Sequence, residues 1–335
     1  MTRVLVTGGA GYIGSHTCKL LAREGFEVAV VDNLSRGHRE FVKWGRLIEA
    51  DIGDTARMRE ALASFRPAAV IHFAAFAYVG EATGDPGLYY RNNVGGTLSL
   101  LEAMRDAGVG NIIVSSTCAI YGQPDRMPIT EEEAQKPINP YGATKLVMEQ
   151  MCRDFEAAHG IRWVALRYFN ASGCDLEGEV GERHEPEPHL IPRLLMAVDG
   201  EIGALEIFGS DYPTPDGTCI RDYIHVADLA SAHVKAARHL MEGGASDAFN
   251  LGTGQGSSVL DIIKAGELAT GRPVPYTTAP RREGDPARLV ADPAKARRVL
   301  DWRAVHSDLD VILSSAWAWH CKDKAARDAG NPGKA

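Results

Sequence analysis

Tyr141 and Lys145 stand four residues apart in Tyr141-Gly142-Ala143-Thr144-Lys145, a spacing that sets a phenol and an ammonium one turn apart on one helix face. A free phenol, with a pKa near ~10, is a poor base at neutral pH. A nearby ammonium, joined by the positive ring of an oxidised nicotinamide, favours the phenolate and brings it toward working range. The pair therefore suits proton transfer at an alcohol whose carbon exchanges hydride. Tyr and Lys at this spacing are also common as a plain surface pair. What lifts them here is a second string, Thr7-Gly8-Gly9-Ala10-Gly11-Tyr12-Ile13-Gly14.

That glycine string follows an apolar strand and opens a helix, the context in which it cradles a dinucleotide. Gly8 permits the tight turn, Gly11 lets the backbone approach phosphate, and Gly14 lets the helix pack on the strand. The N–H groups of the first turn then face the pyrophosphate. Gly25 stops this helix, and the next strand ends at Asp32. A carboxylate there accepts hydrogen bonds from the adenosine ribose and repels a 2′-phosphate, which favours NAD over NADP. Arg36 and Arg39 weigh the other way, since a nearby arginine can accommodate the extra phosphate. Asp51-Ile52, after the third strand, is a candidate adenine contact, although a surface turn reads the same. Ser115-Ser116-Thr117 ends the fifth strand, at the edge where open α/β sheets bind ligands. Thr117 is the candidate to hydrogen-bond the substrate oxygen.

These residues need a scaffold, and the hydrophobic pattern supplies one. Short runs rich in Val and Ile alternate with helix-spaced stretches from Val4 to Leu166. Strands buried on both faces by crossover helices read as continuous apolar runs. The fold class is therefore α/β, a doubly wound parallel Rossmann sheet with a smaller, loop-rich C-terminal substrate lobe. Alternation stops near Asn170, gives way to Gly-, Pro- and charge-rich sequence, and resumes at Ile224. The expected division is residues 1–170 plus about 224–254 for the dinucleotide-binding domain, and 171–223 plus about 255–325 for the lobe. Gly252-Thr253-Gly254-Gln255-Gly256 reads as a turn.

Among 335 residues no apolar stretch approaches the ~18 to 20 that a membrane helix needs. A formal charge of −8 argues against nucleic acid as main partner, while local arginines can still bind an anionic ligand. Six cysteines without a CxxC pair suit reduced thiols, and no leader precedes the glycine loop, so a cytoplasmic protein is expected. His184-Glu185-Pro186-Glu187-Pro188-His189 holds histidines five apart, and its prolines forbid the helix that would align them. A loop without a metal is the expectation there.

In these strings the chain resembles the extended short-chain dehydrogenase/reductases, the NAD-dependent epimerase/dehydratase family, and within it the UDP-glucose 4-epimerases. The resemblance runs from Val4 to about Trp319. It includes His72-Phe73-Ala74-Ala75, Asn92-Asn93-Val94, Arg167-Tyr168-Phe169-Asn170, Gly217 to His225 and Arg281-Arg282-Glu283-Gly284-Asp285. It implies that Tyr12, Ile13, Asp32, Asn33, Asp51, Ile52, Phe73, Ala74, Ala75, Asn92 and Tyr168 touch NAD, with Tyr141 and Lys145 serving both cofactor and chemistry. It further implies that Asn170, Leu190, Phe208, Arg221, Arg282 and Asp285 bind a UDP-sugar, the arginines on the diphosphate and Asp285 on the uridine ribose. Leu289 stands where relatives restricted to hexoses carry a tyrosine. The implied activity is reversible 4-epimerisation of UDP-galactose and UDP-glucose through a transient 4-keto sugar, in a homodimer.

Departures touch fine contacts: Ala77 replaces a lysine found in some relatives, His189 an asparagine and Thr117 a common serine. The alternatives are a UDP-xylose/UDP-arabinose 4-epimerase, another NAD-dependent nucleotide-sugar enzyme, or a non-catalytic dinucleotide sensor. Decarboxylases and 4,6-dehydratases of the same superfamily need an acid just after the strand-five threonine, where this chain has Cys118-Ala119. A silent sensor has no need of Thr117, Tyr141 and Lys145 together.

Overall fold

The computed structural model describes residues 1–282 and 285–330. Its centre is a seven-stranded sheet. In chain order the strands are β1 (Arg3–Thr7), β2 (Glu27–Asp32), β3 (Arg46–Glu49), β4 (Ala69–His72), β5 (Asn111–Thr117), β6 (Arg162–Tyr168) and a last strand, Asp247–Leu251. In space they run β3, β2, β1, β4, β5, β6 and then Asp247–Leu251, every pair parallel. The order of strand addition reverses between β1 and β4, and the C-terminal ends of the strands there open the crevice where such sheets bind ligands.

The pleat sorts each apolar run into two cores. Val4, Val6, Val28, Val30, Ile71 and Val164 face one side with helices α1 (Tyr12–Arg23) and Val226–Met241. Leu5, Val31, Val70, Ile112 and Ala165 face the other with α2 (Thr55–Phe65), Gly96–Ala107 and Pro140–His159. Burial on both faces is why these strands lack polar alternation. Gly25, at φ +83°, ends α1 in the left-handed conformation that glycine adopts without steric cost. Asn139 Oδ1 accepts from the Gly142 N–H at 2.8 Å and Pro140 takes the first helical position, so the helix carrying Tyr141 starts where its sequence directs.

A third core joins Ile191, Leu194 and Leu205 to Ile262, Ile263, Ile312, Leu313 and Trp319. It is built on the helices Leu190–Val198, Val259–Thr270 and Leu309–Gly330. Short strand pairs tie it together: Leu205–Phe208 with Tyr276–Ala279, and Ile220–Arg221 between Ser257–Ser258 and Arg288–Leu289. One segment within 255–325 packs away from this core. The helix Ala294–Leu300 and Trp302 pack into the first core beside Leu229 and Phe249, and the Trp302 indole N–H donates to the Asp228 carbonyl at 2.9 Å. A seven-residue helix shows too little periodicity to reveal which core it joins. Conversely, Phe41 and Trp44 reach from the N-terminal half into the third core.

Candidate active site

The glycine loop has the shape its sequence demands. Gly8 sits at φ +71°, and a Cβ there would lie 2.6 Å from the Ala74 nitrogen; a Cβ on Gly14 would lie 2.2 Å from the Gly8 carbonyl oxygen. No side chain caps the N-terminus of α1 and no acidic residue stands in its first turn, so its N–H dipoles suit an anion. Phe73-Ala74-Ala75 follows β4 across the crevice, with the Phe73 N–H on the Thr7 carbonyl at 2.9 Å. Asp32 is buried, accepting from the Ala10 N–H at 3.0 Å and the Leu34 N–H at 2.8 Å. Each carboxylate oxygen keeps a lone pair for a ribose. The Asn33 amide donates to Asp51 at 2.7 Å, and Ile52 lies against Gly96, so the expected adenine edge forms a connected unit. Arg36 is paired with Glu81 at 2.5 Å and Arg39 with Glu49. Both arginines already face carboxylates, which a 2′-phosphate would have to displace or share. The residues present fit NAD.

Across the crevice, β5 and Pro140–His159 bring the proton-transfer groups together. Lys145 Nζ, buried, donates to the Ser115 carbonyl at 2.9 Å and to Ser115 Oγ at 3.0 Å. Burial lowers its pKa to about 7, against the pull of Glu149 one turn on. The Tyr141 phenol lies beside Thr117, and burial raises its pKa to about 12. Lys145 is thus held by Ser115 at the end of β5 rather than by the phenol one turn before it. Tyr168 is paired with Thr117 across β5 and β6, and its side chain lies beside Ser115. Asn92 donates to Asn93 Oδ1 at 2.9 Å, and Asn93 in turn ties Phe76 to Thr144.

The substrate candidates gather from the other side. Arg221, on the short strand Ile220–Arg221, is buried, paired with Asp285, and lies in register with Leu289. The Arg282 guanidinium stacks over Phe208 at 3.9 Å. Leu289 and Cys118 both pack against the cluster of Ile120, Tyr121, Ile129, Phe169 and Ala291, and Cys118 neighbours Tyr141. Asn170 begins a strand paired with Tyr223–His225, and Leu190 begins the helix Leu190–Val198. Glu283 and Gly284 of the arginine-rich string lie outside the described residues. The turn at Gly252 to Gly256 wraps the Asp222 carboxylate, which accepts from Thr253 and Gly254.

Residues 4–252 match the NAD dependent epimerase/dehydratase family. The chain belongs to that family. A curated UDP-glucose 4-epimerase of Rhizobium leguminosarum bv. trifolii is 53% identical over 319 residues, spanning 95% of this chain and 97% of the relative. A crystal structure of UDP-glucose 4-epimerase from Brucella ovis in complex with NAD superposes with a TM-score of 0.94 at 57% identity, over 95% of this chain and 98% of that one. A UDP-glucose-4-epimerase from Stenotrophomonas maltophila, with bound NAD and formylated UDP-arabinopyranose, gives 0.94 at 41% identity, over 97% and 100%.

Three features of this family member escaped sequence reasoning. Ser115 holds Lys145, yet Thr117 drew notice because it ends the strand. Behind them Glu149 is fully buried, bound twice by Arg167 at 2.9 and 2.6 Å and once by Ser116 Oγ at 2.6 Å. Arg167 continues to the Tyr121 hydroxyl at 2.9 Å, which donates to Asn250 at 2.7 Å. The spacing of Glu149 from Lys145 was the one available signal. Third, the segment read as a plain loop draws Glu182, His184, Glu187 and His189 together, with ligand atoms within 4.8 Å of one another. The prolines do forbid a helix, but the loop folds back and converges without one.

Proposed function

We propose that the protein interconverts UDP-galactose and UDP-glucose by NAD-dependent epimerisation at C4. The observation that carries this reading is Lys145 held on Ser115 at the end of β5 with Tyr141 beside Thr117, and the lobe side adds Arg221 in register with Leu289 as support. Glycine loop, Asp32 and Asn33 hold NAD, which when bound supplies the reversible hydride acceptor and a positive ring. Thr117 orients the C4 hydroxyl and the Tyr141 phenolate takes its proton as the C4 hydride leaves; the transient 4-keto sugar turns over, and as the hydride returns to the opposite face of C4 the same phenol gives the proton back to the C4 oxygen. Lys145 adds charge beneath the phenol and fixes the cofactor ribose. Arg221 and Arg282 anchor the diphosphate, since a guanidinium fork matches phosphate geometry. Asp285 takes the uridine ribose, with Phe208, Asn170 and Leu190 completing the nucleotide side. The hexose itself is loosely held, as turning it over requires.

The domain division follows the same roles: residues 1–170 with about 224–254 carry NAD, and the lobe, apart from 294–302, carries the UDP-sugar. The enzyme works as a homodimer in the cytoplasm; six free cysteines support the compartment, the family resemblance the dimer, and size-exclusion chromatography checks the latter. No described helix is long and apolar enough to cross a membrane. Proton NMR of the purified protein with UDP-galactose, UDP-glucose and the UDP-pentoses tests the substrate directly. UDP-galactose should show the highest specificity constant; a preference for UDP-xylose would move the assignment to pentoses.

A further inference from the structure

We propose that Glu182, His184, Glu187 and His189 bind one divalent transition-metal ion, zinc before others, as a structural clamp on the loop that leads into the helix Leu190–Val198. Each imidazole presents the same atom, Nδ1, to both carboxylates. His189 Nδ1 lies 2.9 Å from Glu182 and 2.8 Å from Glu187; His184 Nδ1 lies 3.4 Å from Glu182 and 3.3 Å from Glu187. Hydrogen bonding satisfies such a cluster only in part, because one Nδ1 proton must serve two acceptors. A metal at the common centre satisfies all four lone pairs. Ligand atoms around tetrahedral zinc, with bonds of ~2.0 to 2.2 Å, stand ~3.3 Å apart; the four imidazole–carboxylate separations of 2.8 to 3.4 Å bracket that value, and all four ligand atoms lie within 4.8 Å of one another.

Charge points the same way. The Glu182 and Glu187 side chains are 6% and 8% exposed, and among the described residues no lysine or arginine pairs with either. Arg183, between Glu182 and His184, turns away to Glu40 and Asp323. The two other carboxylate clusters among the described residues are built differently: Asp175, Glu177 and Glu179 surround Lys19, and Asp199 and Glu201 meet Lys324. There a lysine occupies the centre, whereas here the only cationic partners are imidazoles, which give up a proton to bind a metal. Two imidazoles with two carboxylates select a zinc-like ion, whereas calcium and magnesium take more oxygen donors. A cavity of about 400 Å³ lined by Glu182, His184 and Glu187 provides a way in.

The position gives the ion a purpose. Tyr12, in the cofactor loop, meets the His184 ring edge-on at 6.2 Å, and Tyr78 meets His184 at 5.7 Å and His189 at 6.0 Å. Leu190 follows His189 directly. Fixing the two histidines thus fixes the start of the substrate-side helix against the cofactor loop.

The test uses the untagged full chain, purified without chelator. Elemental analysis should find about one zinc per chain, and the chelator-stripped chain titrated with cobalt(II) should develop the visible bands of a four-coordinate ion, saturating at one equivalent. His184→Ala and Glu182→Gln should each weaken cobalt binding by at least ~100-fold, while Asp199→Asn should leave it unchanged. Because the wild-type titration needs no variant, misfolding of a variant does not blur the answer. Zinc far below stoichiometry together with no cobalt saturation up to millimolar would overturn the proposal. So would undiminished binding in folded His184→Ala, which would place the ion elsewhere.

Discussion

On the sheet side of the crevice, Lys145 is held by the carbonyl and hydroxyl of Ser115, and Asp32 by backbone N–H groups. On the lobe side, Arg221 is held by Asp285, and Arg281 by Asp211. The first arrangement fixes charges with neutral groups on rigid strand ends, so the field they project is ready before any ligand arrives. The second pairs charges with one another, so in the proposed roles an arriving diphosphate shares Arg221 with Asp285. The cofactor half is thereby built for chemistry and the substrate half for exchange. UDP-sugar binds and leaves each turnover, whereas NAD need not.

The largest effect that would break this division is at Tyr141. Tyr141→Phe removes the proton acceptor but leaves the lobe intact, so kcat should fall ~10² to 10⁴-fold with UDP-sugar affinity retained. Stopped assays and calorimetry read the two separately, and near-full turnover would end the role. Next comes the buried support beneath the site. Arg167→Ala leaves the fully buried Glu149 carboxylate with only Arg153 and Ser116 as partners, and should cost about 3 kcal/mol of stability by denaturant unfolding. The paired replacement Arg167→Met with Glu149→Leu should recover most of it; no recovery would mean that the network is more than a satisfied ion pair.

The lobe should respond differently. Arg221→Ala should weaken UDP binding by about 1.5 to 3 kcal/mol, the range of a charge-assisted contact, while bound NAD is retained. Unchanged affinity would remove Arg221 from the site, and loss of NAD would show that the two halves are not separable. The smallest effect is at Leu289, which packs against the cluster of Phe169. Leu289→Tyr narrows an apolar wall and should suppress turnover of UDP-N-acetyl sugars by about 1 to 3 kcal/mol, with UDP-galactose affected less. Equal losses on both sugars would mean that Leu289 supports the fold rather than selects the substrate.

The same contrast explains what could be read in the chain. Gly8 to Gly14, Asp32, Thr117 and the Tyr141–Lys145 spacing are local signals on strand ends and helix starts, and each names its own geometry. Strand runs such as Val4-Leu5-Val6 gave the sheet for the same reason. The lobe offers no such strings. Asn170, Leu190, Phe208, Arg221 and Leu289 meet only after loops of many residues close, so only family resemblance could name them. Ser115, Glu149 and the converging Glu182-to-His189 loop were missed because their partners are distant or irregular. Which core Ala294–Leu300 joins was not legible, because one short apolar stripe fits either.

The account rests on hydride leaving and returning to the same carbon within one active site. UDP-galactose carrying deuterium at C4, mixed with the purified enzyme in ordinary water without added dinucleotide, tests this by NMR. The UDP-glucose formed should keep the deuterium at C4. Replacement of that deuterium by solvent hydrogen would mean epimerisation by proton exchange at carbon, and would contradict the roles assigned to the cradle and to Tyr141 together.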